Sequence, residues 1–280
     1  MGRPMAGHLL AAGHELCVFA RRPAAAAPLV AAGASLGATP AEVGRHSQVV
    51  FTMVTDGADV KQVVLGEKGS SEGLIEGLAP GSVVVDMSTI APADAREIAA
   101  ALAERGIDFI DAPVSGGEQG AINATLAIMA GGKAAVLERV RPLFLALGKT
   151  VVHVGDSGAG QVAKACNQMI MVAAIQACAE ALALATAAGA DPARVKDALA
   201  GGSAGSRVLE VMGERMVQKD FAAGIESRLH HKDFGILLGQ AHSLGVPLPV
   251  AAQVGQQLNR LMARGYGKDD TSSLLRLLEE

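Results

Sequence analysis

The chain has 280 residues, 50% of them hydrophobic and 19% charged, with a formal net charge of −4. That length holds one large domain or two ordinary ones, and a half-apolar composition excludes disorder as a global description. An acidic chain with six Phe, one Tyr and no Trp lacks both the electrostatic footprint and the stacking platforms of a nucleic-acid binder.

The opening stretch MGRPMAGHLLAAG reads as a helix. Its apolar run is short and broken by histidines, so no signal peptide is expected. Doubly wound sheets that bind dinucleotides open instead with a strand, then GxGxxG, then a helix. On that pattern Gly2 is the last glycine of the fingerprint, where close helix–strand packing excludes a side chain. The strand and the first glycines are then expected upstream of Met1. The cysteines Cys17, Cys166 and Cys178 form no CxxC pair and are expected as buried free thiols of a reducing, cytoplasmic compartment.

Short β-branched runs follow at Glu15–Phe19, Gln48–Val54, Ser82–Met87, Asp108–Val114, Leu126–Met129 and Thr150–Val154, separated mostly by Ala- and Leu-rich helical patterns. The clearest helix is Pro92–Arg105, with Pro near its start and Gly106 past its end. Alternating strands and helices predict a parallel sheet with helices on both faces. Near Gly155 the pattern changes. Gln161 to Ala188 reads as one helix of about 40 Å at 1.5 Å per residue. It is apolar, but Lys164, Asn167, Gln168, Gln176 and Glu180 interrupt it, so it is expected to be buried in protein or at a subunit interface rather than to span a membrane. Helical patterns then cover Val208–Lys219, His230–Ser243, Val250–Arg264 and Ser272–Leu278. The predicted organisation is an α/β, Rossmann-type doubly wound sheet lacking its first strand over residues 1–156, and a long helix with an all-α domain over 157–280.

Four segments carry chemistry. FARRP places Arg21 and Arg22 about 20 residues after Gly2, where NAD-binding sheets usually carry an acid for the ribose. Two cations there would attract a 2′-phosphate. In DAPVSGG the strand runs into Ser115, Gly116 and Gly117 at its carboxyl end, where ligands bind in open α/β sheets. Adjacent glycines let backbone N–H groups approach an anion, which suits a small carboxylate. In GQVAKACNQ, Gln161, Lys164, Asn167 and Gln168 recur at helical spacing and share a face. Desolvation disfavours an ammonium, which makes a lysine in apolar surroundings a usable acid or base. In LHHKDF, Lys232 and Asp233 start a helix. His230 and His231 are adjacent, point apart on a helix and have no third ligand near, so no metal site is expected. His153, at a strand end, reads as structural.

Together the stretches MGRPMAGHLLAAGH, VVFTMVTDGADV, VVVDMSTIAP, DAPVSGGEQGA, GAGQVAKACNQ and LHHKDF resemble the β-hydroxyacid dehydrogenase family, which includes 3-hydroxyisobutyrate dehydrogenase and tartronate semialdehyde reductase. The resemblance implies a Rossmann domain, an interdomain helix, and a helical domain that helps build a homodimer or homotetramer. It implies Lys164 as the catalytic lysine, Asn167 as the amide that orients substrate, and Ser115, Gly116 and Gly117 as the carboxylate-binding turn. Met53, Val54 and Thr55 match the loop along the cofactor, and Thr89 the residue near the nicotinamide. Lys232 matches the lysine that reaches the cofactor from the second domain, and Arg21 lies at the 2′-phosphate position. Ala124 stands where many members have Gly.

The expected activity is hydride transfer between NADP(H), with NAD(H) as the alternative, and a short β-semialdehyde or β-hydroxy acid. Reduction of tartronate semialdehyde to D-glycerate comes first; 3-hydroxyisobutyrate- and succinate-semialdehyde-type reactions follow. A non-catalytic dinucleotide-binding protein is the alternative from another class. It has no need of a lysine with an amide one turn away. A small carboxylate is the expected partner, with neither nucleic acid nor membrane.

Overall fold

The computed structural model describes every residue except Lys68, Ser70 and Glu280. The chain divides into two compact units, Met1–Lys164 and Ala165–Glu280.

The first unit opens with α1 (Gly2–Ala11), followed by β1 (Cys17–Val18), α2 (Ala27–Ala31), β2 (Ser35–Leu36), α3 (Pro40–Arg45), β3 (Val49–Thr52), α4 (Gly57–Leu65) and β4 (Val83–Asp86). Then come α5 (Pro92–Ala103), β5 (Asp108–Asp111), β6 (Val114–Ser115), α6 (Gly117–Ile122), β7 (Leu126–Gly131), α7 (Ala134–Leu145) and β8 (Gly148–Gly155). β1 and β2 pair in parallel as a sheet of their own; a six-stranded sheet runs β3-β4-β5-β7-β6, with β8 on β7. Successive side chains of a strand point to opposite faces, and β4 shows it. Val83 and Val85 enter one core with Met5, Leu9, Ile110 and Phe144, whereas Val84 enters another with Val50, Val60, Ile98 and Leu102. A strand buried on both faces needs an unbroken apolar run, and VVV supplies it.

The expectation of a parallel sheet holds for β3-β4-β5 and β7-β8 but not for β7, which runs antiparallel to β5 and β6. The predicted single strand Asp108–Val114 is two strands. Pro113 has no N–H to give a ladder, so the chain breaks there and Val114 pairs with Ile128 instead. The short β2 has no periodic signal long enough to read.

The second unit follows α8 (Ala159–Ala187), a helix shared by both units, with α9 (Pro192–Ala200), α10 (Glu214–Val217), α11 (Ser227–Leu244), α12 (Pro249–Ala263) and α13 (Arg276–Glu279). Gly189, at φ +77°, stops α8, and Asp191 caps α9 by accepting from the Ala193 N–H. The core joins Val172, Ile175 and Leu182 of α8 to Phe234 and Leu237 of α11 and to Leu258 of α12. Val208–Lys219 is not one regular helix: a widened π turn at Leu209–Gly213 precedes α10, with Gly213, a poor helix former, inside it. Likewise a 3₁₀ turn, Thr271–Leu275, capped by Asp270, takes up most of the Ser272–Leu278 pattern.

α8 matches a membrane span by length and composition, but only 33% of its apolar window is buried. The expected burial is therefore partial: Gln161, Lys164, Gln168 and Gln176 are buried, while Ile170 and Leu184 face outward. The thiols also differ from expectation. Cys166 is exposed, because it lies on that outer side of α8, and Cys17 and Cys178 are half-buried. Burial pushes the Cys178 thiol above its ordinary range.

Candidate active site

In the first unit a cavity of about 680 Å³ is lined by residues of β1 and of β3, the facing edges of the two sheets. Met5 and Leu9 of α1, with Leu143 and Leu147, make its wall apolar on one side; Leu29, Val43 and Leu74 do so on the other. Gly2, Arg21, Arg22, Met53, Val54 and Thr55 are also among its lining residues. Packing does not demand glycine at residue 2. A Cβ added there would stand 3.5 Å from Met53 Cβ, an ordinary contact, so the expected exclusion of a side chain is not found.

Polar ties join the strand ends beside this cavity. Thr52 Oγ1 donates to Asp86 Oδ1 at 2.8 Å, and the Val54 N–H donates to Ser88 Oγ at 3.0 Å. The loop after β3 is thereby held to the loop after β4. Arg22 is exposed, and Arg21 Nη1 donates to Asp59 Oδ1 at 3.2 Å. Asp59 sits in the first turn of α4, where Asp56 caps its N–H. Its approach to Arg21 is a tertiary event that the spacing does not announce.

Ser115, Gly116 and Gly117 form the turn from β6 into α6. Gly116 adopts φ +132°, a conformation L side chains rarely take. Beside this turn, Lys164 on α8 is buried, and its Nζ donates to the Val114 carbonyl at 2.8 Å. Thr89, half-buried on the otherwise buried loop after β4, is not among the residues lining the large cavity. Its neighbours are pinned by α8: Gln161 Nε2 donates to the Ser88 carbonyl at 2.8 Å, and Gln161 Oε1 accepts from the Ile90 N–H at 3.1 Å.

In the second unit the structure joins two distant motifs. Asn167 Nδ2 donates to Gln168 Oε1 at 2.9 Å, Gln168 Nε2 donates to Asp233 Oδ2 at 2.6 Å, and Lys232 Nζ lies 3.0 Å from Asp233 Oδ1. His230 is buried against Thr271 Oγ1 at 2.6 Å, and His231 meets Asn259, so both serve packing. His153 bonds the Gly132 carbonyl. Among the described residues no cluster of His, Cys, Asp and Glu could hold a metal.

Asp111 was not singled out by motif reading. It ends β5 fully buried, and burial raises it from 3.8 to about 6, against the pull of the Gly158 and Gln161 N–H groups. An acid closing the strand DFID right after the apolar pair Phe109–Ile110 was the available signal.

Two family models divide the chain. The NAD binding domain of 6-phosphogluconate dehydrogenase matches residues 1–155, and the NAD-binding domain of NADP-dependent 3-hydroxyisobutyrate dehydrogenase matches 158–278. The chain is 44% identical to 2-hydroxy-3-oxopropionate reductase of Escherichia coli, over all of this chain and 94% of that one. The chain belongs to the 3-hydroxyisobutyrate dehydrogenase-like family. Another member, the NAD-dependent L-serine dehydrogenase of Pseudomonas aeruginosa, is 37% identical over all of this chain and 95% of its own. The solved 3-hydroxyisobutyrate dehydrogenase of Mycobacterium tuberculosis superposes with a TM-score of 0.90 at 30% identity, covering all of this chain and 96% of that one. The chain is thus a β-hydroxyacid dehydrogenase that uses a nicotinamide dinucleotide, built as a Rossmann-like sheet followed by a helical domain.

Proposed function

We propose that this dehydrogenase reduces a small β-semialdehyde acid with NADPH, tartronate semialdehyde to D-glycerate being the first choice. The observation that carries the reading is the buried Lys164, held at the Val114 carbonyl one residue before the Ser115–Gly117 turn. A proton donor and an anion-binding turn in one place are what a carboxylate-bearing carbonyl substrate needs. The 44% identity to 2-hydroxy-3-oxopropionate reductase supports the choice of substrate.

The large cavity suits the adenosine end of the dinucleotide. Many of its lining residues are apolar, and Gly2 of α1, Arg21 and Arg22 are among them. Gly2, Met53, Val54 and Thr55 would line the cofactor, with Thr89 and Lys232 as further contacts. When bound, the cofactor supplies or accepts the hydride. Ser115 and its glycines hold the carboxylate and so fix which carbon reacts. Asn167 orients the substrate oxygen, and Lys164 donates a proton to it in reduction or removes one in oxidation. A homodimer or homotetramer in the cytoplasm is the assembly and place that accompany this reading.

NAD(H) use is a second reading with its own observation. The Asp59 carboxylate beside Arg21 is an acceptor of the kind that binds a ribose hydroxyl. The deciding experiment is loss of NADPH or NADH absorbance with tartronate, methylmalonate and succinate semialdehydes. Turnover on tartronate semialdehyde with NADPH preferred is expected; no turnover on any of them overturns the reading.

A further inference from the structure

We propose that Asp111 is a positioning residue that sets Lys164 in place by holding the first turn of α8. The proposal rests on the reading of Lys164 as the proton donor. The first N–H groups of a helix have no partner within it, and its N-terminus favours negative charge. Here Asp111 Oδ1 accepts from the Gly158 N–H at 2.7 Å, and Oδ2 from the Gln161 N–H at 3.0 Å. The acceptor is not part of the helix, unlike an ordinary cap; it comes from the end of β5, 50 residues earlier.

The surroundings are built around this carboxylate. A Cβ added at Gly131 would lie 2.6 Å from Asp111 Oδ1, and one at Gly160 would lie 2.6 Å from the Asp111 carbonyl. The glycines of MAGG and GDSGAG thus make room for Asp111, a use the motifs did not reveal. Gln161 is then pinned twice, by its N–H to Asp111 and by its side chain to Ser88 and Ile90. Lys164 follows three residues later and meets the carbonyl of Val114, three residues after Asp111. The segment 111–114, from the end of β5 to the start of β6, therefore holds α8 at two points, one at the helix start and one at the lysine. A slip of one helical residue is about 1.5 Å and 100°, and a misplacement of about 1 Å can cost on the order of 10²-fold in rate.

The charged groups that the structure sets against Asp111 and its helix start are the register partner Asp86 on β4 and Arg96 of α5 against Gly158, while Lys164 turns its Nζ to the Val114 carbonyl. Burial raises the Asp111 carboxyl, Asp86 adds to that, and the two amides oppose it. The helix start thus favours the carboxylate it binds, in part offsetting the burial that raises it.

The test is a double-mutant cycle on the full chain, Asp111→Asn with Lys164→Ala, assayed with NADPH and the best-used semialdehyde. Asn keeps the size but presents an NH₂ group to one of the two N–H donors. We expect Asp111→Asn to lower kcat about 10- to 100-fold, with KM and NADPH affinity changed less than about threefold. In the Lys164→Ala background the same change should cost less than about twofold, because its route to the chemistry is gone. An equal loss in both backgrounds, or a kcat near wild type, overturns the positioning role while leaving Lys164 as the donor. If Lys164→Ala alone leaves kcat unchanged, or no semialdehyde is turned over, the proton-donor reading fails and the proposal with it. Should Asp111→Asn not fold, Asp111→Ser keeps one acceptor and is judged by the same comparisons.

Discussion

Arg21 Nη1 lies 3.2 Å from Asp59 Oδ1, both of them lining the large cavity, so the cation expected to meet a 2′-phosphate already faces a carboxylate. Arg21 is 71% exposed, and such a pair contributes about 0–1 kcal/mol. It can therefore open for a ligand at little cost. Asp59→Asn should free Arg21 and widen the preference for NADPH over NADH, while Arg21→Ala with Arg22→Ala should narrow it. A charge-assisted hydrogen bond is worth about 1.5–3 kcal/mol, so the wild-type preference should exceed roughly tenfold. Steady-state kcat/KM for both cofactors checks this; equal values in wild type would remove the 2′-phosphate reading.

Lys164→Ala should lower turnover by about 10²–10⁴-fold, the usual worth of a positioned acid or base. NADPH affinity should stay nearly intact, since Lys164 is not among the residues lining the large cavity. Turnover within a few-fold of wild type, measured beside a fluorescence titration of NADPH, would sink the role.

Asp111 predicts a pH dependence of stability. Its folded value, about 6, lies above its ordinary 3.8, so the folded protein holds this proton more tightly than the unfolded chain does. Its contribution is fully present below about pH 4 and is lost as pH rises through about 6. The stability difference between wild type and Asp111→Asn should therefore move against wild type from pH 4 to pH 6 and level off above. Denaturant melts at four pH values across that window test it, and a flat difference would refute it.

Ala124 holds φ +51°, in the left-handed region that costs an L residue roughly 1–2 kcal/mol. Glycine, which the family resemblance places there, avoids that strain but loses backbone entropy. Ala124→Gly should stabilise the protein by about 0.5–1 kcal/mol, seen as a higher Tm. A lower Tm would show that the site relaxes around alanine.

Much of the fold was legible because the signals are local. The one VVV run announces a strand buried on both faces, and Pro92 and Gly189 mark where helices start and stop. β2, the break at Pro113 and the reversed β7 escaped because two-residue strands carry no period and pairing direction is not a local property. The turn Ser115–Gly117 and Lys164, the candidates for the chemistry, stood out by residue type. Asp111 and Asp59 did not, since an acid in a strand end or a first helical turn is unremarkable until its partner is known.

Composition and periodicity by themselves determined the α/β-then-helical organisation, and the resemblance of the quoted stretches to a known family gave that family and most of the candidate residues. Each of these depends on residue type and short-range order, which the chain displays directly. Only the tertiary structure decided that Asp111 holds the start of α8, that Arg21 faces Asp59, and that Gln168 reaches Asp233. Those partners lie 47, 38 and 65 residues apart. A hydrogen bond of 2.6–3.2 Å between them exists only once packing has brought the backbones together.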